Sequence, residues 1–151
     1  MLSKHGMSDC IAFSFRPGNV QFVLYDVHAA IDDREDSLWG RDGELGPLSV
    51  RTAELSVGLF DNCEVEISVA IFEVEPIKPD GIWEIEAEAS LLVQSGELGV
   101  RDVTSNTPER IFFITKGRSR LRILGAWRVE QINKQAEQLF HIQIWPVAYV
   151  K

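Results

Sequence analysis

The sequence has few of the residues from which small proteins build disulfide frameworks and metal sites. Its 151 residues include two cysteines, Cys10 and Cys63, and three histidines, His5, His28 and His141. The cysteines are too few and too far apart for a disulfide framework or a zinc site, and the histidines lack metal-binding spacing. We expect no metal, no cofactor and no catalytic cysteine or histidine, with both cysteines acting as small buried hydrophobes.

Long hydrophobic runs are also missing. Charged or other polar residues interrupt every apolar segment well before it reaches the length of about 20 consecutive apolar residues that a membrane helix needs. No apolar signal segment stands near the N-terminus. We therefore expect a soluble, cytoplasmic protein with no membrane partner.

Basic residues are outnumbered, with 15 Lys and Arg against 23 Asp and Glu and a formal net charge of −8. This balance disfavours direct binding to nucleic acid or to an anionic membrane, because both use clustered positive charge. The same balance permits binding to a basic protein, because an acidic surface is complementary to a positively charged one. The alternative interpretation is that the charge serves solubility alone.

Motifs of catalysis and phosphate binding are absent from the sequence. Gly40, Gly43 and Gly46 match neither the P-loop nor the dinucleotide fingerprint, and we expect them in turns. Glu84, Glu86 and Glu88 alternate at about 7 Å along a predicted strand, a geometry that a glycosidase could use. A solvated sheet face is the favoured interpretation, and the sequence predicts a protein that is not an enzyme.

Apolar and polar residues alternate through most of the chain. The clearest run is residues 65–72, and a second covers 83–91 with glutamates on its polar face, which predicts an antiparallel hairpin. Residues 11–15 and 20–27 predict an opening hairpin around the turn Arg16–Asn19. Arginines 118, 120 and 122 form a basic counterpart to the glutamates, and we expect cross-strand ion pairs if these strands are neighbours.

Shorter segments and the closing alternation at 140–145 add to the predicted strands. Residues 48–52 and 54–59 form either two strands or one strand with a bend, and residues 98–103 follow the turn at 94–96. The continuous apolar run at 111–114 predicts a strand buried on both sides or crossing between layers. Together these patterns predict an all-β fold, a single-domain antiparallel β-sandwich of nine or ten short strands over residues 10–151, after a flexible tail at 1–9.

One long polar segment, residues 29–46, interrupts the strands and concentrates negative charge beside Leu38 and Trp39. Loops on rigid β-scaffolds often carry function, and tryptophan is enriched at binding hot spots. Trp39 either anchors a partner or packs under the loop into the core. The candidate partner-binding residues are Asp32, Asp33, Glu35, Asp36, Trp39, Asp42 and Glu44.

The order of features resembles the competence protein J family, small β-sandwich proteins that include inhibitors of DNA-entry nucleases. The similarity is carried by QFVLYDV (21–27), the acidic Trp-containing loop, VEISVAIFEV (65–74), the segment 117–123 and IQIWPV (142–147). It implies a cytoplasmic protein that blocks a partner nuclease, with acidic groups competing for the basic cleft that receives DNA phosphates.

Two other functions remain open from the residues alone. Trp83, Trp127 and Trp145 could form a platform for a carbohydrate or another small ligand, although core packing is expected for at least two of them. The chain could also be a structural or accessory domain that self-associates through a sheet edge.

Overall fold

The computed structural model describes residues 7–18, 21–29, 48–50, 53–59, 64–128 and 137–147. These residues form ten strands: β1 (Met7–Phe15), β2 (Gln21–Asp26), β3 (Leu48–Val50), β4 (Glu54–Gly58), β5 (Val65–Phe72), β6 (Ile85–Val93), β7 (Glu97–Asp102), β8 (Arg110–Phe113), β9 (Gly117–Arg128) and β10 (Glu137–Pro146). Sheet A has the order β1-β5-β10-β9-β6, and sheet B has the order β3-β4-β2-β7-β8. Both sheets contribute to one hydrophobic core. The predicted all-β sandwich is confirmed.

The alternation in β5 shows why these residues form strands. Val65, Ile67 and Val69 are fully buried in the core between the sheets. Glu66 and Ser68 point to the opposite face and remain partly exposed. A strand places successive side chains on opposite faces, so the period-two pattern directly selects the face that packs inward.

Aromatic rings join the two sheets across the core. Phe22 of β2 meets Phe140 of β10 edge to face, with ring centroids 5.2 Å apart, and Phe13 of β1 lies 6.0 Å from Phe112 of β8. Gly125 of β9 makes room for one of these rings, because a Cβ there would lie 2.7 Å from Cε1 of Phe140. The core therefore requires a residue without a side chain at position 125.

Both predicted hairpins are wrong. β1 pairs with β5 in sheet A, whereas β2 lies in sheet B between β4 and β7. β5 and β6 share sheet A but are separated by β10 and β9. The turn residues correctly indicate where the chain leaves a strand. They do not indicate whether the next strand returns alongside or moves elsewhere, since either arrangement buries the same apolar face.

One pair of strands departs from the antiparallel pattern predicted for the whole sandwich. β5 and β10 run parallel, with Val69 opposite Ile142. The other pairs are antiparallel within the described residues. Strand direction is not encoded in side-chain alternation, because the period is the same in both senses.

At the margins of sheet B, one open prediction is decided and another is corrected. β3 and β4 are separate antiparallel strands with Val50 opposite Leu55, which settles the choice between two strands and one bent strand. The apolar run at 111–114 is not buried on both sides. Its strand β8 is the last in the order of sheet B. Phe112 is buried in the core and Ile114 packs against it partly buried, whereas Phe113 is 75% exposed.

The N-terminal strand begins earlier than the predicted tail ends. β1 starts at Met7, so residues 7–9 belong to sheet A. Residues 1–6 lie outside the described part of the chain. Among the described residues, no helix has the length and apolar character needed to span a membrane.

Candidate functional site

The acidic segment proposed from the sequence lies outside the described residues. This applies to all seven candidates: Asp32, Asp33, Glu35, Asp36, Trp39, Asp42 and Glu44. The described residues stop at Ala29, shortly after the end of β2, and resume at Leu48, the first residue of β3. The role of the segment in partner binding stays a prediction.

The most extensive described polar cluster holds the connection between β5 and β6, residues 73–84, which we call the strap. β5, β10 and β6 point the same way in sheet A, because β5 is parallel to β10 and β9 is antiparallel to both β10 and β6. A connection between such parallel strands has to cross over. The strap contacts β9 and β10 through side chains on the outer face of sheet A.

Arg122 of β9 is the centre of this cluster. Its side chain is only 8% exposed. Nη1 donates to the carbonyl of Pro76 at 3.0 Å, and Nη2 donates to Oε2 of Glu75 at 2.9 Å. The guanidinium also stacks on the ring of Trp145, 5.2 Å from its centroid. A buried cation is tolerated when its donors are satisfied, and here they fix two consecutive residues of the strap.

Gln143 of β10 holds the next strap residue. It lies opposite Arg122 in the register and accepts a 2.9 Å hydrogen bond from Nη1 of that residue. Its Nε2 donates to the carbonyl of Ile77 at 3.1 Å. Arg122 and Gln143 therefore bind three consecutive residues of the strap, Glu75, Pro76 and Ile77, from two neighbouring strands.

Glu88 of β6 completes the cluster. It accepts hydrogen bonds from Nη2 of Arg120 at 3.0 Å and from Nε of Arg122 at 3.2 Å, which confirms the predicted Glu–Arg pairing between these strands. Partial desolvation raises the pKa of Glu88, but the hydrogen bonds and charges of the two arginines lower it more, and the pKa lies below its usual value. A glycosidase general acid needs a raised pKa, so Glu88 does not fit that role.

A shallow polar cleft of about 380 Å³ opens beside these groups. It is lined by Lys78, Glu86, Ala87, Glu88 and Arg122. Two of these lining residues, Lys78 and Glu86, are ion-paired with each other. The charged side chains that line the cleft therefore already bind one another. This arrangement fixes the strap and does not present a reactive group.

Asp26, Ser95 and His28 form a second polar group, at the turn between β6 and β7. The buried Asp26 accepts hydrogen bonds from the Ser95 hydroxyl at 2.5 Å and from the backbone N–H groups of Ser95 and His28. His28 directs its Nε2 toward Glu97 at 3.1 Å, away from the serine. The carboxylate therefore caps two turns and does not form a catalytic relay.

Cys10, Ser68 and His141 lie on three adjacent strands on the outer face of sheet A. Ser68 Oγ is 3.9 Å from Sγ of Cys10 and 3.3 Å from Nδ1 of His141. Burial lowers the pKa of His141 below its usual value. Cys10 is exposed, which corrects the expectation that it is a buried hydrophobe. Cys63 and His5 lie outside the described residues.

The two tryptophans of the considered ligand platform whose side chains are described, Trp83 and Trp145, do not form an exposed platform. Trp145 is buried against Ala70 and Phe72. Trp83 is half-buried and donates from Nε1 to the carbonyl of Pro79 at 3.3 Å. The side chain of Trp127 lies outside the described residues. Within the described ranges, no group of three or more His, Cys, Asp or Glu is arranged to hold a metal ion.

Comparison with known proteins shows the fold. No protein-family model and no curated protein matches the sequence. The crystal structure of ComJ, an inhibitor of the DNA-degrading activity of NucA, from Bacillus subtilis, has a TM-score of 0.65 at 11% identity, with 93% of this chain and 97% of ComJ covered. The protein of crocagin biosynthetic gene J has a TM-score of 0.61 at 12% identity, covering 91% of this chain and 97% of its own.

These likenesses confirm at the level of fold what the resemblance to the competence protein J family implied. At such low identity they do not assign roles to individual residues. ComJ is an inhibitor and the second neighbour is tied to a biosynthetic gene, and neither description is that of a catalyst.

Sequence reasoning missed the two buried arginines. The alternation of arginines 118, 120 and 122 predicts only a polar face, whereas in the structure the strap and Trp145 cover Arg122. Arg101 of β7 forms a buried ion pair with Glu54 at 3.4 Å and lies over the ring of Tyr25, on the outer face of sheet B. The local alternation correctly puts both arginines on outer faces. Only long-range contacts reveal that these faces are covered.

Proposed function

We propose that this chain is a non-enzymatic protein-binding module that inhibits a nuclease by occupying its basic DNA-binding surface. The observation that carries the proposal is the likeness of its fold to ComJ over 93% of the chain. The same fold is associated with an inhibitor of DNA degradation in that protein. A role for this chain that requires no catalytic group agrees with the paired state of the carboxylates in its best-defined polar cluster.

The charge of the chain supports a basic partner. A formal net charge of −8 gives long-range attraction to a surface that normally receives DNA phosphates, and it repels DNA itself. A nuclease cleft combines both features, because it needs positive charge to bind its substrate. An acidic protein that covers this cleft competes with DNA by the same electrostatic interaction.

Within this proposal, the acidic segment supplies part of the contact. Six carboxylates within 13 residues, with Trp39 among them, would provide phosphate-like charge and one aromatic anchor. The proposed contact residues are those predicted from the sequence: Asp32, Asp33, Glu35, Asp36, Trp39, Asp42 and Glu44.

Capture followed by an activity assay tests the proposal. The folded protein is immobilised, incubated with lysate of its native host at low salt and eluted with rising salt, and the eluted proteins are identified by mass spectrometry. We expect a basic nuclease whose DNA-degrading activity falls when a stoichiometric amount of the protein is added. Recovery of no nuclease, or of one that stays fully active, would refute the proposal and favour the small-ligand interpretation.

Charge-matched variants then test the acidic segment. Neutralising Asp32, Asp33, Glu35 and Asp36 to the corresponding amides should weaken capture and inhibition while the thermal midpoint stays unchanged. The control variant neutralises four acids elsewhere, Asp9, Glu64, Glu66 and Glu109, and so has the same net charge. Equal loss in both variants would indicate a non-specific charge effect and would argue against this segment as the contact.

A further inference from the structure

The strap exposes three large aliphatic side chains. Val74 is 62% exposed, Ile77 75% and Ile82 90%, all on one connection of 12 residues. Single exposed apolar residues are common on protein surfaces and need no explanation. Three on one connection of 12 residues exceed this scattered exposure, and such a local concentration marks a candidate contact site.

The backbone that carries these side chains is held in place. The carbonyls of Pro76 and Ile77 accept hydrogen bonds from Arg122 and Gln143, respectively. Further along, Gly81 adopts a φ of 138°, a region that favours glycine, and the indole of Trp83 binds the carbonyl of Pro79. A connection that is already ordered loses little conformational entropy on binding, which is how rigid inhibitors gain affinity.

The strap that carries these side chains is acidic. It contains four exposed carboxylates, from Glu73, Glu75, Asp80 and Glu84, of which Glu75 is paired with Arg122, and a single lysine. That lysine, Lys78, is paired with Glu86 of β6. A partner that covers the aliphatic side chains therefore meets negative charge around them, which favours lysine and arginine and disfavours nucleic acid or an anionic membrane.

A second exposed apolar patch has surroundings of mixed charge. Phe113 of the edge strand β8 is also 75% exposed, and Ile111 is 39% exposed. The exposed Arg110 and Lys116 are close in the chain, but so is Glu109, and Glu97 lies opposite Phe113 in the register. This edge therefore lacks the net acidity of the strap, and Phe113 provides a control side chain of comparable exposure on the other sheet.

We propose that the strap is a docking surface for a basic protein, with Ile77 and Ile82 entering an apolar hollow and the surrounding carboxylates meeting lysine and arginine at its edge. This inference rests on the proposed function, because it takes the nuclease as the partner. It adds a contact surface that lies within the described residues and is separate in the sequence from the acidic segment. Complementary charge then orients the encounter, while the aliphatic side chains supply the buried area.

Photo-crosslinking and affinity measurements test the docking surface. The photoreactive residue p-benzoylphenylalanine is placed at position 82, and at position 115 near β8 as a control, in the full chain incubated with native lysate. We expect a nuclease to be crosslinked from position 82 and not from position 115. The affinity of the purified nuclease is then measured for Ile77→Ser, Ile82→Ser and the exposure-matched Phe113→Ser.

The expected result is a loss of roughly tenfold or more in affinity for each strap variant and little change for Phe113→Ser. All three should keep the thermal midpoint of the natural sequence, because the substituted side chains are largely exposed. If the unmodified protein captures a nuclease but the strap variants bind it normally, the docking surface is wrong and the proposed function stands. If it captures no nuclease, both proposals are wrong.

Discussion

Arg122 and Gln143 lie directly opposite one another on β9 and β10, and the guanidinium donates to the amide oxygen of Gln143 at 2.9 Å. Each side chain also binds a backbone carbonyl of the strap, at Pro76 and Ile77 respectively. This pair therefore couples the register of sheet A to the position of the connection that crosses it. A cross-strand pair usually stabilises only the sheet, whereas this one also positions a surface segment.

Replacing Arg122 should release the strap. Arg122→Met removes hydrogen bonds to Glu75, Pro76, Glu88 and Gln143, and we expect a loss of about 2 to 3 kcal/mol in the free energy of unfolding. Denaturant unfolding measures this loss, and hydrogen exchange should become faster within residues 73–84. The exposed Arg118→Met provides the control and should change stability by less than about 0.5 kcal/mol.

Arg122 and Gln143 should be energetically coupled. Gln143→Leu alone removes the bond to Ile77 and one acceptor of Arg122, and we expect it to cost about 1 kcal/mol. Because the two residues share a network, the double variant should be less destabilised than the sum of the single variants, by about 0.5 kcal/mol or more. Strict additivity in a double-mutant cycle would contradict a shared role in holding the strap.

Gly125 should not tolerate a side chain. A Cβ at this position would lie 2.7 Å from Cε1 of Phe140 and 3.2 Å from Cβ of Ile85, inside a closely packed core. We expect Gly125→Ala to destabilise the protein by about 1 to 3 kcal/mol. Adding Phe140→Leu should recover part of that loss by removing the ring that the methyl group meets. No recovery in thermal unfolding would show that the cost comes from elsewhere.

Lowering the pH should reduce the free energy of unfolding through the protonation of Glu88. Its pKa in the folded state lies below the ordinary value of 4.5, so the folded state favours the ionised form. The stabilisation that ionised Glu88 gives to the folded state is therefore fully present above pH 4.5. It is lost as the pH falls from that value through the folded-state pKa of Glu88. Urea unfolding at a series of pH values from 6 down to about 3 should show this loss. Glu88→Gln should be less stable at pH 6 and should have a flatter profile below pH 4.5.

Local sequence pattern is enough to locate most of the described strands and, in a strand such as β5, to identify the face that packs inward. The spacing of Val65, Ile67 and Val69 correctly predicts their burial. The alternating arginines of β9 pair with Glu88 of β6 as expected, through Arg120 and Arg122. These features are local, because side-chain alternation follows from the geometry of a single strand. The net acidity and the absence of a recognisable catalytic motif are also properties of composition, and they direct the proposed function toward a basic partner.

Long-range contacts establish which strands are neighbours and which polar side chains are covered. β1 and β2 enter different sheets, β5 and β10 run parallel, and Arg122 is buried by a strap that begins 49 residues earlier in the chain. The sequence pattern around an arginine in an alternating strand is the same whether that face of the sheet is exposed to solvent or covered by another segment. Its burial depends on contacts between distant segments, and the strap crosses the sheet only because its two flanking strands are parallel and not adjacent.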